Sequence, residues 1–335
     1  MNFILKIFEL LKGDPKTAIA KYLIGIGVTL LAGGSIYYQS AEHLLKYDNA
    51  GNIIGYLFLI VGFVLLIHRY FTIKNNVVTL VYGMGMENMD IYAPSEAIPK
   101  YERFDYIPID LKKIDSYDKN SVIKNYEFNK TLISERIQNK NSKKVYVSAL
   151  GSFPYLFLLG SLFRNAYSEV ITLDFDRHRS KWYKLPNFSG REENITHKLM
   201  YDDMSIDEKI SELNNSDLKE VSIALSYTFE VNKNAIPPQL QNHVLFLKHS
   251  HGIGHDKLSN EEAQKALLKE LSIYMATLWN NHKKIHLFVS AQASMCINMG
   301  KIYMNNAHGV LVLHNYENNS NSYNWSIEFD RGNIS

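Results

Sequence analysis

Two short stretches of this 335-residue chain place small and hydroxyl-bearing residues at the end of an apolar run: VYVSALGS, Val145 to Ser152, and LFVSAQAS, Leu287 to Ser294, 142 positions further on. Each leads straight into a helix-like stretch with an internal glycine, Gly160 or Gly300, and Pro154 falls where the first turn of a helix accepts proline. A helix N-terminus opened by small residues presents unpaired amides and the positive end of the helix dipole, so it attracts phosphate. That chemistry makes Gly151, Ser152, Pro154, Gln292, Ala293 and Ser294 candidate contacts for an anionic ligand. Ser226, Tyr227 and Thr228, ending another β-like run, join them. Arg177, His178, Arg179, Lys181 and Trp182 offer cations and a stacking ring, against the alternative of a solvated edge with Trp182 in the core.

A third cluster is the loop KHSHGIGHDK, which contributes Lys248, His249, Ser250, His251, His255 and Lys257. Lys248, Ser250 and His251 read as contacts of a loop that clasps a ligand, against the plainer reading of a mobile surface loop. The alternative is zinc on the three histidines, with an open position for water, in a membrane-tethered metal-dependent hydrolase or nuclease. No H-E-x-x-H stands nearby to support that chemistry, and the reading assigns no metal, no catalytic residue and no cofactor. Gly83-Met84-Gly85 lacks the third glycine of a dinucleotide fingerprint. Cys296, the only cysteine, lies in an apolar helix-like run and reads as inert core. A formal net charge of +2 gives no bulk bias toward nucleic acid, and DNA is not an expected partner.

These residues need a scaffold, and from about Asn75 the sequence supplies one. Strand-like runs at 106–111, 144–149, 169–175, 220–230, 243–248, 285–291 and 309–316 alternate with helical runs, a pattern of parallel α/β sheets. The clearest helix opens with Ser259 and Glu262 at capping-box spacing and buries Ala263, Leu267, Leu271, Tyr274 and Leu278. A polar stretch at 187–216 marks the seam between two halves, placed at about 75–215 and 216–335.

The first 74 residues follow different rules. Tyr22 to Tyr38 and Ile53 to Ile67 are nearly free of charge, and with interfacial Lys21, Tyr22, Tyr37, Tyr38, Tyr70 and Phe71 they fit two membrane spans within 17–74. Lysines 6, 12, 16 and 21 precede the pair and Arg69 and Lys74 follow it, so both termini are expected in the cytoplasm of a multi-pass inner-membrane protein. Phe3 to Leu11 reads as an amphipathic helix, within 1–16, lying on the bilayer. Gly25, Thr29 and Gly33 recur every fourth residue, a spacing that lets membrane helices associate.

The closing run IHLFVSAQASMCINMGKIYMNNAHGVLVLHNYENNSNSYNWSIEF resembles the end of SAVED domains, and ALGSFPYLFLLGSLFRNAYSEVITLDFDRHRSKW resembles their first half, through Gly151, Pro154, Gly160 and Trp182. Gln292 and Ala293 stand where family members often carry proline. Two membrane helices ahead of such a domain look like the transmembrane-SAVED effectors of CBASS, the bacterial anti-phage systems. The resemblance implies a membrane-anchored α/β protein whose SAVED domain, 75–335, consists of two fused CARF-like, Rossmann-type halves. It implies a non-enzymatic receptor for a cyclic oligonucleotide, a trinucleotide above all, made by a CD-NTase. It further implies a ligand-driven homo-oligomer that disrupts the bilayer and causes abortive infection.

Overall fold

The computed structural model describes residues 14, 17–37, 45–74, 78–86, 94–102, 106–111, 113–139, 142–164, 166, 168–186, 198–201, 205–254, 258, 260–280, 284–303 and 309–335. The amphipathic helix expected at Phe3 to Leu11 lies outside them, as do His255, Lys257 and Ser259. The chain divides into two units, Met1–Val78 with Ile98–Ile107, and Thr79–Ala97 with Pro108–Ser335.

In the first unit, helices α1 (Ala18–Tyr37) and α2 (Leu45–Lys74) run antiparallel. Close approach requires glycine: a Cβ on Gly27 would sit 2.8 Å from the Gly55 carbonyl oxygen, and one on Gly62 would sit 3.0 Å from that of Ala20. Gly25, by contrast, has nothing within 4 Å of its would-be Cβ, so the Gly25 face is free of the hairpin's own packing. Asp14, just ahead of α1, is buried and pairs with Arg69 of α2 at 2.6 Å. One helical stretch, Gly51–Thr72, is long and apolar enough to cross a bilayer, with mean hydropathy 2.1. The apolar part of α1, Ala18–Ala32, is shorter.

The second unit is built on two sheets. Strand β1 is Val78–Met84, β2 Tyr106–Asp110, β3 Lys144–Leu150, β4 Glu169–Asp176 and β5 Lys181–Lys184; they pair in the order β2-β1-β3-β4-β5. Then come β6 (Leu199–Met200), β7 (Glu220–Ser226), β8 (Val244–His249), β9 (Lys284–Ser290), β10 (Val310–Glu317), β11 (Ser322–Asp330) and β12 (Asn333–Ile334). Their order is β12-β11-β10-β9-β7-β8-β6. Without its edge strands β6 and β12, this sheet repeats the first: β8-β7-β9-β10-β11 matches β2-β1-β3-β4-β5. The inner pairs β3–β4 and β9–β10 are parallel, and each is followed by an antiparallel fifth strand. Helix α3 (Lys119–Asn139) precedes β3 as α6 (Glu261–Trp279) precedes β9, and α4 (Phe153–Ser161) follows β3 as α7 (Ala293–Ile302) follows β9. Central strands such as β3 and β7 are buried on both faces, which is why they read as unbroken apolar runs.

Three boundaries differ from sequence expectation. The second sheet takes its edge strand from Leu199–Met200, upstream of the division drawn at 215 and 216, and helix α5 (Ile206–Asn214) follows that strand. A reciprocal capping box fixes α5: Ser205 Oγ accepts from the Glu208 amide and Glu208 Oε2 accepts from the Ser205 amide, each at 3.2 Å. Helix α6 starts at Glu261 with Asn260 as its N-cap, Oδ1 accepting from the Ala263 amide at 2.6 Å, in place of the Ser259–Glu262 box. Strand β7 stops at Ser226 because Ser290 turns the chain: its carbonyl accepts from the amides of Tyr227 and Thr228 at 2.9 and 3.0 Å.

The halves dock through α4 and α7. A Cβ on Gly160 would lie 1.9 Å from the Ile297 carbonyl oxygen, and one on Gly300 would lie 1.9 Å from that of Phe157. Gly300 follows Gly160 by 140 residues, and Ile297 follows Phe157 by the same 140, so the crossing is reciprocal. The structural repeat is therefore 140, two short of the register in which the letters match. Ser152 and Gln292, also 140 apart, are the two N-caps.

Candidate functional site

A cavity of about 650 Å³ opens at the C-terminal ends of β3, β4, β9 and β10, where both halves contribute. Ligands of α/β sheets bind at such strand ends. Eight of the expected contacts line it: Gly151, Ser152, Arg177, His178, Arg179, Thr228, Gln292 and Ala293. The others lie elsewhere. Pro154 and Ser294 are buried in the first turns of α4 and α7. Trp182 is 6% exposed and packs edge-on against Tyr82 and tilted against Phe175, which makes it a core ring. Lys181 is exposed on β5. Ser226 accepts from the Val231 amide at 2.9 Å, and Tyr227 is fully buried, its phenol pushed up by loss of water. Lys248 pairs in register with Met200, Ser250 receives the Lys198 amide, and exposed His251 meets the His249 ring edge-on at 5.0 Å. None of these last residues is part of the cavity wall.

The two helix N-termini differ from the simple phosphate cradle. At α4, the Ser152 amide donates to Ser116 Oγ at 2.8 Å and Ser152 Oγ donates to the Ser116 carbonyl at 2.6 Å. Gly151 permits this closeness, since a Cβ there would sit 2.9 Å from Ser116 Oγ. At α7, Asp174 reaches across from β4 and accepts from both the hydroxyl and the amide of Ser294. Gln264 donates to the Ser294 hydroxyl at 2.8 Å and accepts from Asn298 at 2.9 Å. The Asp174 carboxyl also accepts from the Phe175 amide at 3.0 Å, while burial raises its pKa against these hydrogen bonds. The second half's helix end thus already holds an acid from the first half.

Charge and aromatic surface gather at the rim. Asp176 Oδ1 accepts from the amides of His178 and Arg179 at 2.9 and 3.0 Å, and Ser180 takes a positive φ of 50°, so the β4–β5 turn projects Arg177, His178 and Arg179 at the cavity. Phe229, 60% exposed, lines the cavity from the second half; its amide donates to Ser290 Oγ at 3.0 Å. Tyr117, Tyr316, Asn315 and Asn318 complete the polar and aromatic lining. Sequence reading passed over Asp174 and Phe229. A lone acid inside the apolar run ITLDF was a signal for the first, whereas Phe229 is exposed only because the chain leaves the sheet at Ser226. Cys296 also reaches the wall, with its thiol pushed up by burial and by Asp174. Among the described residues no group of three His, Cys, Asp or Glu side chains is placed to hold a metal.

Fold and cavity together define a module of two related α/β halves that share one ligand-sized cleft. The chain belongs to the SAVED family: residues 128–329 match the model of the SMODS-associated and fused to various effectors sensor domain. Among solved structures it is similar to the Cap4 SAVED/CARF-domain containing receptor of Acinetobacter baumannii with the cyclic trinucleotide 2'3'3'-cAAA, at 12% identity and a TM-score of 0.49, covering 85% of this chain and 58% of that one. The same receptor with 3'3'3'-cAAA aligns at 12% identity and a TM-score of 0.48, covering 85% and 59%. The Cap4 receptor of Moraxella osloensis aligns at 13% identity and a TM-score of 0.41, covering 86% and 59%. This chain therefore spans less than two thirds of those receptors. No curated protein sequence matches it.

Proposed function

We propose that this protein is a membrane-anchored CBASS receptor whose SAVED domain binds a cyclic oligonucleotide, with a cyclic trinucleotide as the ligand. The observation that carries the reading is the shared cleft, lined by cations from one half and an exposed ring from the other, in a chain of the SAVED sensor family. Phosphates meet Arg177 and Arg179, while a base stacks on Phe229 and offers its edge to Gln292, Asn315 or Asn318. On this account the protein is a sensor and has no catalytic residue. The test is a binding screen of the full-length protein in lipid nanodiscs against cyclic di-, tri- and tetranucleotides. Saturable binding of a trinucleotide supports the reading; failure of every cyclic nucleotide to bind overturns it.

The membrane half of the proposal rests on α1 and α2. Most of Gly51–Thr72 is exposed apolar surface, only 17% buried, which suits lipid better than water. We read both helices as spans with cytoplasmic termini in the bacterial inner membrane; a cytoplasm-specific reporter fused at Ser335 should fluoresce. Ligand-driven assembly of SAVED domains raises the local concentration of the spans, and the unoccupied Gly25 face lets neighbouring hairpins associate and disturb the bilayer. A Gly25→Leu, Gly33→Leu variant that binds ligand yet permeabilises cells as wild type does would remove that face from the account.

A further inference from the structure

At the start of β4, the end remote from the cleft, a second cavity of about 460 Å³ is lined by the first half's sheet edge and helices α6 and α7. Lys301 of α7 lines it, mostly buried, with Nζ donating to the Val170 carbonyl at 3.0 Å and to Asn298 Oδ1 at 3.2 Å. Both acceptors are neutral. The carboxylates facing the cavity are engaged with other cations: Glu261 of α6 with Lys265 at 2.5 Å and Glu169 of β4 with Lys144 at 3.8 Å. Among the described residues no carboxylate pairs with Lys301. Lys184, at the end of β5, adds a further ammonium to the wall. A mostly buried ammonium whose hydrogen bonds go only to neutral acceptors is costly, and such groups are normally paired. Val170, Ile171, Leu185, Leu268 and Ile302 give the rest of the wall an apolar character suited to an organic body.

We propose that this second cavity is a binding site for a small phosphate- or carboxylate-bearing metabolite, with Lys301 as the anion contact and Lys184 a second cation of the lining. The site is independent of the cyclic-oligonucleotide reading. Burial lowers the Lys301 pKa to about 8, with Lys265 acting in the same direction and Glu261 against it, so the ammonium is close to losing its charge and a bound anion would hold the proton in place.

The probes are inorganic phosphate, AMP and citrate, each titrated into the full-length protein in nanodiscs while its thermal unfolding is followed. The expected result is a saturable rise in Tm with at least one probe, retained in Lys301→Arg and absent in Lys301→Met, which keeps the side-chain stem and removes the charge. In wild type the rise should fade as pH passes about 8, a readout that needs no variant. No saturable response to any probe, or an equal response in Lys301→Met, overturns the proposal. Cyclic-oligonucleotide binding at the cleft, measured on the same samples, scores the receptor reading separately.

Discussion

The two halves of the SAVED domain share strand order, helix placement and a reciprocal glycine crossing, yet they close their helix N-termini by different chemistry. In the first half, Ser116 covers the start of α4 with a neutral hydroxyl and carbonyl. Gly85 and Ser116 are joined by a backbone hydrogen bond of 3.1 Å, and in the second half Tyr227 and Gly254 are joined by the matching one of 2.8 Å. Glycine has no side chain with which to cap α7. Asp174 takes that role from across the interface, so the second half's helix end is closed by an acid and tied to its partner half. Duplication fixes the frame, and the few positions facing the cleft decide what each copy does. The arginines that line the cleft, Arg177 and Arg179, come from the first half, and the exposed ring, Phe229, from the second.

The shared crossing offers the largest test. Gly160→Ala and Gly300→Ala each force a methyl into a backbone carbonyl, and each should cost about 3 kcal/mol in denaturant unfolding. Near-equal losses support the reciprocal contact; a loss at only one glycine breaks the symmetry. The two caps come next. Asp174→Ala leaves the Ser294 amide and hydroxyl short of an acceptor and should destabilise by about 2 kcal/mol, against about 1 kcal/mol for Ser116→Ala. Equal costs would mean that the acidic cap carries no special load.

A smaller effect separates the halves by pH. In the second sheet His286 Nδ1 and His314 Nε2 lie 2.9 Å apart, and burial lowers both pKa values, His314 to about 3. Glu220 lies 3.3 Å from His286 Nε2 and opposes its shift, as Glu328 does, while Lys284 reinforces it. Because the folded values lie below the unfolded 6.5, the unfolded chain binds more protons, and stability falls as pH drops below about 6.5. The loss should reach about 1–2 kcal/mol by pH 5, read from urea midpoints, and His314→Gln should flatten it. Asp174 acts in the opposite sense. Its folded pKa is raised above 3.8, so its contribution is complete below that value and is lost as pH rises through the folded one. An acid limb unchanged in His314→Gln would contradict the histidine assignment.

Much of this architecture was legible because parallel strands buried on both faces leave unbroken apolar runs, and β2, β3, β4, β8, β9 and β10 fall within a residue or two of where those runs lie. Strand β6 escaped notice because two residues carry no period, and β7 was read too long because a backbone contact from Ser290, which no local pattern encodes, ends it. The echo of VSA drew attention to the right turns in a register two residues off, since matching letters report composition while the crossing glycines report geometry. In the cavity lining, turn residues such as Gly151 and Ala293 were legible from small size at a strand end. Trp182 and Tyr227 were legible only as aromatic and polar, and whether such a side chain faces cleft or core depends on the sheet's twist and on packing against the other half.

The central claim is that one ligand bridges both halves, and it is tested most directly by a double-mutant cycle in cyclic trinucleotide binding to the full-length protein. Arg177→Ala removes a first-half cation and Phe229→Ala a second-half ring, and both residues line the cleft. Each should weaken binding of the trinucleotide by about 1–3 kcal/mol without lowering the unfolding temperature, with the Arg177 effect alone shrinking as salt is raised. Binding that is indifferent to either residue in a folded variant would place the ligand in one half only, or outside the cleft, and would contradict the account.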